Sequence, residues 1–226
     1  MDEQATPRSA GRRRLSRSTL LPLILLVVAL ATATVVLAIG GGGGKLPGGA
    51  KREAPGGGYR GGLVRPERPA PAISLRNYLG KPVTLASYRG KAVLVTFLYT
   101  HCPDVCPAIT SALRVAQQEL GPEASRVQII AVSVDPHGDK PTSVATFLKL
   151  HHMTDHMQYL LGTPRQLARV WSAWNVGSQK DTTNPEFVAH TALVYGIGAN
   201  GKLITVYPAN FRPADIAHDV PKLAAA

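Results

Sequence analysis

The chain has 226 residues, a formal net charge of +11, 45% apolar residues, seven histidines, three methionines and two cysteines. Two cysteines exclude a disulfide scaffold and a four-thiolate zinc site, so their chemistry is local. The charge does not mark a nucleic-acid partner. Residues 1–72 carry 11 Lys/Arg against 4 Asp/Glu and residues 73–226 carry 14 against 10, with no basic–aromatic stripe of the kind that stacks bases.

In chain order, residues 1–19 read as a basic cytoplasmic segment, with Arg12, Arg13, Arg14 and Arg17 just ahead of an uncharged apolar run over 20–39. Twenty residues at about 1.5 Å each span about 30 Å, a bilayer's hydrocarbon thickness. The arginines stay in the cytoplasm, so the run predicts a single-pass anchor in the cell membrane, with the C-terminal domain on the extracytoplasmic side. The rival is a cleavable secretory signal, because Ala31-Thr32-Ala33 has small residues at the right spacing. No cysteine directly follows the run, which excludes a lipoprotein anchor. Residues 40–72 hold 12 glycines and 5 prolines and predict a flexible linker, leaving 73–226 as the folded domain.

Within that domain, strands are predicted over 81–86 and 92–99, separated by the turn Arg89-Gly90-Lys91. The second is apolar almost throughout, as a strand covered on both faces should be. A helix then runs to Leu120, with Ile109, Leu113, Ala116 and Leu120 on one side and Gly121-Pro122 as its stop. A strand over 127–134 ends at Asp135-Pro136, and a helix over 142–150, a short strand over 158–161 and a helix over 164–174 follow. Residues 177–190 lack periodicity and read as a loop. Strands over 191–197 and 202–207 flank the turn Asn200-Gly201, and a helix over 213–223 closes the chain. This order predicts an α/β sandwich with a mixed central sheet.

The chemistry centres on Cys102-x-x-x-Cys106. A helix starting near Pro103 brings both sulfurs to its amino end, where unpaired N–H groups favour thiolate over thiol. Such a pair can close a disulfide or bind one soft metal ion, and the spacing alone leaves redox and metal chemistry both open. His190, just before a predicted strand, lies at a strand end, where the loops of an α/β sheet converge. Two thiolates and an imidazole suit three-coordinate Cu(I), with Cu(II) taking a further ligand, whereas zinc wants a fourth. A lone histidine is as readily a hydrogen-bonding residue.

The stretch Phe97-Leu98-Tyr99-Thr100-His101-Cys102-Pro103-Asp104-Val105-Cys106-Pro107 resembles the signature of the SCO/SenC family of cytochrome oxidase copper-assembly proteins. Gly90-Lys91, Ser133-Val134-Asp135-Pro136 with Asp139-Lys140-Pro141, and Ala189-His190-Thr191-Ala192-Leu193-Val194-Tyr195 with Asn200-Gly201-Lys202 match in family order. The resemblance implies a thioredoxin-like, peroxiredoxin-like fold behind an N-terminal transmembrane helix and copper ligation by Cys102, Cys106 and His190. Asp135 is implied to orient the site or bind a partner. The implied function is that of a copper metallochaperone for the dinuclear copper site of cytochrome c oxidase subunit II. The alternative is a membrane-tethered thiol-disulfide reductase that keeps that subunit's cysteines reduced through Cys102 and Cys106. Expected partners are subunit II, other copper chaperones or thioredoxin-like reductants, and membrane lipid through the anchor.

Other features carry less. His151, His152 and His156 read as exposed imidazoles between helices, with weak auxiliary copper binding as the alternative. Trp171 and Trp174 read as one helix's packing face. Asp135 and Asp139 lack the phosphate loop that Mg²⁺ chemistry would need. Ser87 and Ser133 lack a Gly-x-Ser-x-Gly setting, and neither cysteine has the Pro-x-x-x-Thr-x-x-Cys pattern of a peroxiredoxin.

Overall fold

Ala92–Leu98, the most continuous run of β-preferring residues in the domain, is buried at every position, so layers must cover both faces of the sheet that contains it. The computed structural model describes residues 58–180 and 188–226. In chain order they form β1 (Gly62–Pro69), β2 (Ser74–Asn77), β3 (Pro82–Thr84), β4 (Ala92–Leu98) and α1 (Val105–Leu120). Next come β5 (Val127–Ser133), α2 (Pro141–Leu150), β6 (Met157–Leu161) and α3 (Pro164–Ala173). The chain continues through β7 (Ser178–Lys180), β8 (Val188–His190), β9 (Leu193–Ile197), β10 (Lys202–Pro208) and α4 (Pro213–Leu223). Eight strands make one sheet in the order β1-β10-β9-β4-β5-β6-β2-β3, while β7 and β8 pair with each other. The β4–β5 and β5–β6 pairs are parallel and the rest antiparallel, giving the expected thioredoxin-like α/β fold with a mixed sheet.

Register decides where the site forms. Pairing from Ala92↔Val127 to Leu98↔Ser133 leaves the carboxyl ends of β4 and β5 level. On the other side of β4, antiparallel β9 pairs Thr96 with Val194, so its amino end reaches the same edge. The Thr96 hydroxyl donates to the Leu193 carbonyl at 3.0 Å and fixes that approach. The segments after β4, after β5 and before β9 therefore meet at one end of the sheet.

Helix α1 starts there. Asp104 is its N-cap, its carboxylate accepting the Val105 N–H, and Ile109, Leu113, Ala116 and Leu120 are buried along one side. Burying each Leu or Ile contributes about 1.5–3 kcal/mol. Gly121 ends the helix at φ +53°, a left-handed conformation that a side chain would strain. Helix α4 packs against α1.

Four strands, β2 among them, lie where no strand is predicted. β1 falls inside the predicted linker, yet pairs with β10 from Gly62↔Val206 to Pro69↔Lys202. β7 and β8 fall in the predicted loop over 177–190, where Ser178 pairs with His190. Each is short or lies at an edge, so its partner supplies the order that its own pattern lacks.

The membrane part of the expected architecture is corrected. Among the described residues no helix is long and apolar enough to cross a membrane. The longest, α1, has 16 residues and carries Arg114, Gln117 and Glu119. The predicted span over 20–39 lies outside the described residues. The architecture supported is the α/β domain alone. The N-terminal transmembrane helix, the lipid contact and the single-pass membrane localisation are not part of it.

Candidate functional site

Cys102 stands in the turn between β4 and α1, and Cys106 is the second residue of α1. They are 6% and 0% exposed, and neither is in a disulfide. The helix aims its first N–H groups back along its axis, and the Cys106 N–H donates to the Cys102 sulfur at 3.3 Å. The two thiols are thereby driven apart chemically. The Cys106 thiol donates to Cys102 and holds it well below the ordinary thiol value, at about 6; burial opposes this, and backbone N–H groups and the Tyr99 hydroxyl assist. Cys106 is pushed up, first because it donates to Cys102 and then because it is buried. A thiolate and a thiol share one proton.

His190 ends β8 and is carried to the same place. Its Nε2 lies 3.6 Å from the Cys106 sulfur, and its Nδ1 lies 3.3 Å from the Thr191 carbonyl oxygen. A carbonyl can only accept, so the ring proton belongs on Nδ1 and the Nε2 lone pair faces the sulfur. Burial lowers the pKa of His190 and keeps the imidazole neutral, partly offset by the bond to Thr191. Cys106 is common to both contacts, and both of its neighbours are acceptors for its proton. Among the described residues, however, no three His, Cys, Asp or Glu side chains converge into a group that could hold a metal ion as they stand. Cys102 and Cys106 are together, His190 reaches Cys106, and a closed three-ligand cage is not formed.

Asp135 lies in the turn after β5. Its carboxylate accepts the His137 N–H at 3.2 Å, and its own N–H donates to Ser133 Oγ at 3.1 Å, shaping the turn after β5. A Cβ on Gly138 would overlap Asp135 Oδ2, so a larger residue there would displace that carboxylate. Asp139 reaches the cysteine segment. Its Oδ1 accepts the Thr100 N–H and hydroxyl, both at 2.8 Å, and its Oδ2 accepts Ser133 Oγ at 2.6 Å and the Tyr159 hydroxyl at 2.9 Å. Burial raises its pKa against those four bonds. In the sequence Asp139 stands in the Asp139-Lys140-Pro141 stretch of the resemblance, with no role attached to it. Its place in that stretch, six residues after Ser133 at a strand end, is the signal for this role.

Tyr99 was also missed. It is 2% exposed, its hydroxyl accepts the Val188 N–H at 3.5 Å, and its ring stands edge-on to His190 with centroids 5.8 Å apart. Burial pushes its phenol up to about 12, so it is a neutral donor.

The remaining candidates lie among other neighbours. The His151 ring packs on Phe147 at 4.5 Å, and His152 sits at φ +54° where α2 ends. His156 is held through its backbone to Met153. Trp171 Nε1 donates to the Ser133 carbonyl at 2.9 Å, and Trp174 packs against Phe97 and Tyr195.

The sequence profile of SCO1/SenC matches residues 66–225. Among curated proteins, the chain is similar to the mitochondrial SCO1 homolog of Mus musculus, at 28% identity over 153 residues, covering 66% of this chain and 53% of that protein. The chain spans about half the length of the curated mitochondrial SCO1 relatives it matches. Among solved structures, it is similar to Bradyrhizobium japonicum ScoI with copper bound, at 31% identity and TM-score 0.59, covering 69% of this chain and 99% of that one. It is also similar to apo Sco1 from Thermus thermophilus, at 31% identity and TM-score 0.62, covering 74% and 96%.

Proposed function

Because the chain belongs to the SCO1/SenC family, we propose that it handles copper, taking one Cu(I) ion on Cys102, Cys106 and His190. The copper is cargo, and its recipient is the dinuclear site of cytochrome c oxidase subunit II during assembly. The observation that carries this reading is the 3.6 Å approach of His190 Nε2 to the Cys106 sulfur, with the ring proton held on the far nitrogen. A bare imidazole lone pair, a thiolate and a thiol surround one proton, and a soft cation replacing that proton gains three suitable donors. The copper-bound relative supports the identity of the ion.

Anaerobic titration of the reduced chain with Cu(I), against a competing chelator, tests it. One ion per chain is expected, and Cys102→Ala, Cys106→Ala and His190→Ala should each weaken binding by tenfold or more. Equal affinity in the wild-type chain and all three variants overturns the reading.

The unequal thiols favour a second reading, in which the pair reduces a disulfide of the recipient. The Cys102 thiolate attacks one sulfur of the recipient's disulfide, breaking the S–S bond to form a mixed disulfide and releasing the other sulfur as a thiolate, which takes up the Cys106 proton. The Cys106 sulfur then displaces the second thiolate, leaving Cys102–Cys106 oxidised and the recipient reduced by two electrons. This route needs both cysteines and no imidazole. Full restoration of oxidase assembly by His190→Ala at low copper, with both cysteine variants inactive, selects it over copper delivery.

A further inference from the structure

A cleft of about 330 Å³ opens at the end of the sheet away from the cysteines. Buried Ile73, Val93 near the start of β4 and Ile197 at the end of β9 make its floor. Leu85 and Tyr88 line it half-buried, and exposed Arg89 stands at its mouth. Three backbone bonds pin its walls to one another. The Ala70 N–H donates to the Gly201 carbonyl, the Leu85 N–H to the Ile73 carbonyl and the Gly90 N–H to the Ala199 carbonyl, each at 3.0 Å. The cleft is therefore pre-formed, as small-molecule sites are.

Its polar side chains include one cation and no anion, since no Asp or Glu lines it. Among the described residues, neither the Arg89 guanidinium nor the Tyr88 hydroxyl has a hydrogen-bond or ion-pair partner. Burial raises the Tyr88 phenol above its ordinary value, so it stays a neutral donor. The guanidinium lies against Gly201, where a Cβ would collide with it, and Gly201 has φ +74°. Glycine at this turn thus admits the cation to the edge of an apolar floor. A ligand matched to these features has an anionic head and an apolar body.

We propose that this cleft binds a medium-chain fatty carboxylate, its head paired with the Arg89 guanidinium and its tail laid over Ile73, Val93 and Ile197. A guanidinium fork matches a planar carboxylate with two parallel N–H bonds. The volume holds about ten groups the size of a water molecule, at roughly 30 Å³ each, which suits a tail of decanoate length. A peptide suits it less. The wall amides and carbonyls named above already pair with one another, so an entering backbone would leave its own polar groups unpaired. The site is remote from Cys102, Cys106 and His190, and its test is independent of the copper reading.

The test titrates the full-length chain, without metal, with sodium decanoate below its micelle concentration, following amide resonances. The Val93, Gly198 and Gly201 amides should shift together and saturate. Arg89→Gln, at an exposed position, should weaken that binding about tenfold, the loss of one charge-assisted pair. Decanol should bind the wild-type chain about tenfold more weakly than decanoate and should not distinguish it from Arg89→Gln. Amides that stay still, including the case in which decanoate binds elsewhere on the chain, overturn the site. Equal decanoate affinity in wild type and Arg89→Gln, or decanol binding as tightly as decanoate, overturns the role of the cation and with it the proposal. A peptide with apolar C-terminal residues that shifts the same amides at lower concentration than decanoate overturns the fatty ligand in favour of a chain terminus.

Discussion

A sulfur at the amino end of a helix faces N–H groups with no partner in the helix, while a sulfur inside the first turn faces side chains. Cys102 has the first environment and Cys106 the second, and the single proton they share makes the difference steep. In the reduced chain, iodoacetamide should therefore modify Cys102 well before Cys106. The rate should fall only as pH drops through about 6, since a thiol held below its ordinary 9.0 stays ionised down to its own pKa. The Cys106 thiol is the first cause of that depression, so Cys106→Ala should move the inflection back up. Peptide mapping across pH reads both effects. An inflection near the ordinary thiol value in the wild-type chain, or faster loss of Cys106, would contradict the assignment of thiolate and thiol.

Between elements, the site depends on a carboxylate that touches neither cysteine directly. Asp139 gathers donors from the segment after β4, the end of β5 and the middle of β6, so it sets where Thr100, and with it Cys102, leaves the sheet. Asp139→Ala strands four donors in a buried place and should cost about 2–4 kcal/mol by urea unfolding. A loss under about 0.5 kcal/mol would show that water replaces the carboxylate at little cost. Its pH signature has a definite sign. Burial raises the folded pKa above 3.8, so the native state binds the extra proton, and the contribution of this group to stability falls as pH rises through the window above 3.8. Asp139→Asn should lack that slope while losing stability at neutral pH. β4, β5 and α1 were legible in the sequence because apolar runs and a 3.6-residue stripe are local patterns. The cysteine pair was legible from its spacing, whereas His190, expected in a loop before a strand over 191–197, ends the unpredicted strand β8, with β9 beginning only at Leu193. The Asp139 knot was not, because its partners lie 39, 6 and 20 residues away and converge only through the parallel register of β4, β5 and β6. β1, β2, β7 and β8 were hidden for the related reason that their order comes from pairing partners.

At the scale of the whole domain, the first and last elements hold each other. Asp219, on α4, has no exposure, yet its carboxylate accepts the Arg60 N–H at 2.9 Å, the Gly61 N–H at 2.8 Å and the Tyr207 hydroxyl at 2.9 Å, with His218 Nδ1 at 2.7 Å. These bonds fasten the chain just before β1 to the closing helix, and β1 then covers the outer edge of β10. A domain beginning at residue 73, as composition suggests, would leave both the carboxylate and that edge open. Asp219→Ala in the full chain should therefore cost about 3 kcal/mol, because three or four buried donors lose their acceptor together. Amide exchange should speed up first along β1, with β4 and β5 protected until global unfolding. A chain cut before Ile73 should be less stable than one cut before Gly58. It should also associate as concentration rises, since an unpaired edge strand recruits another. Thermal melts and sedimentation of the two cut chains check this together. Equal melting temperatures and monomers in both would mean that β1 rests on the sheet without closing it, and that the Asp219 cluster stabilises α4 alone.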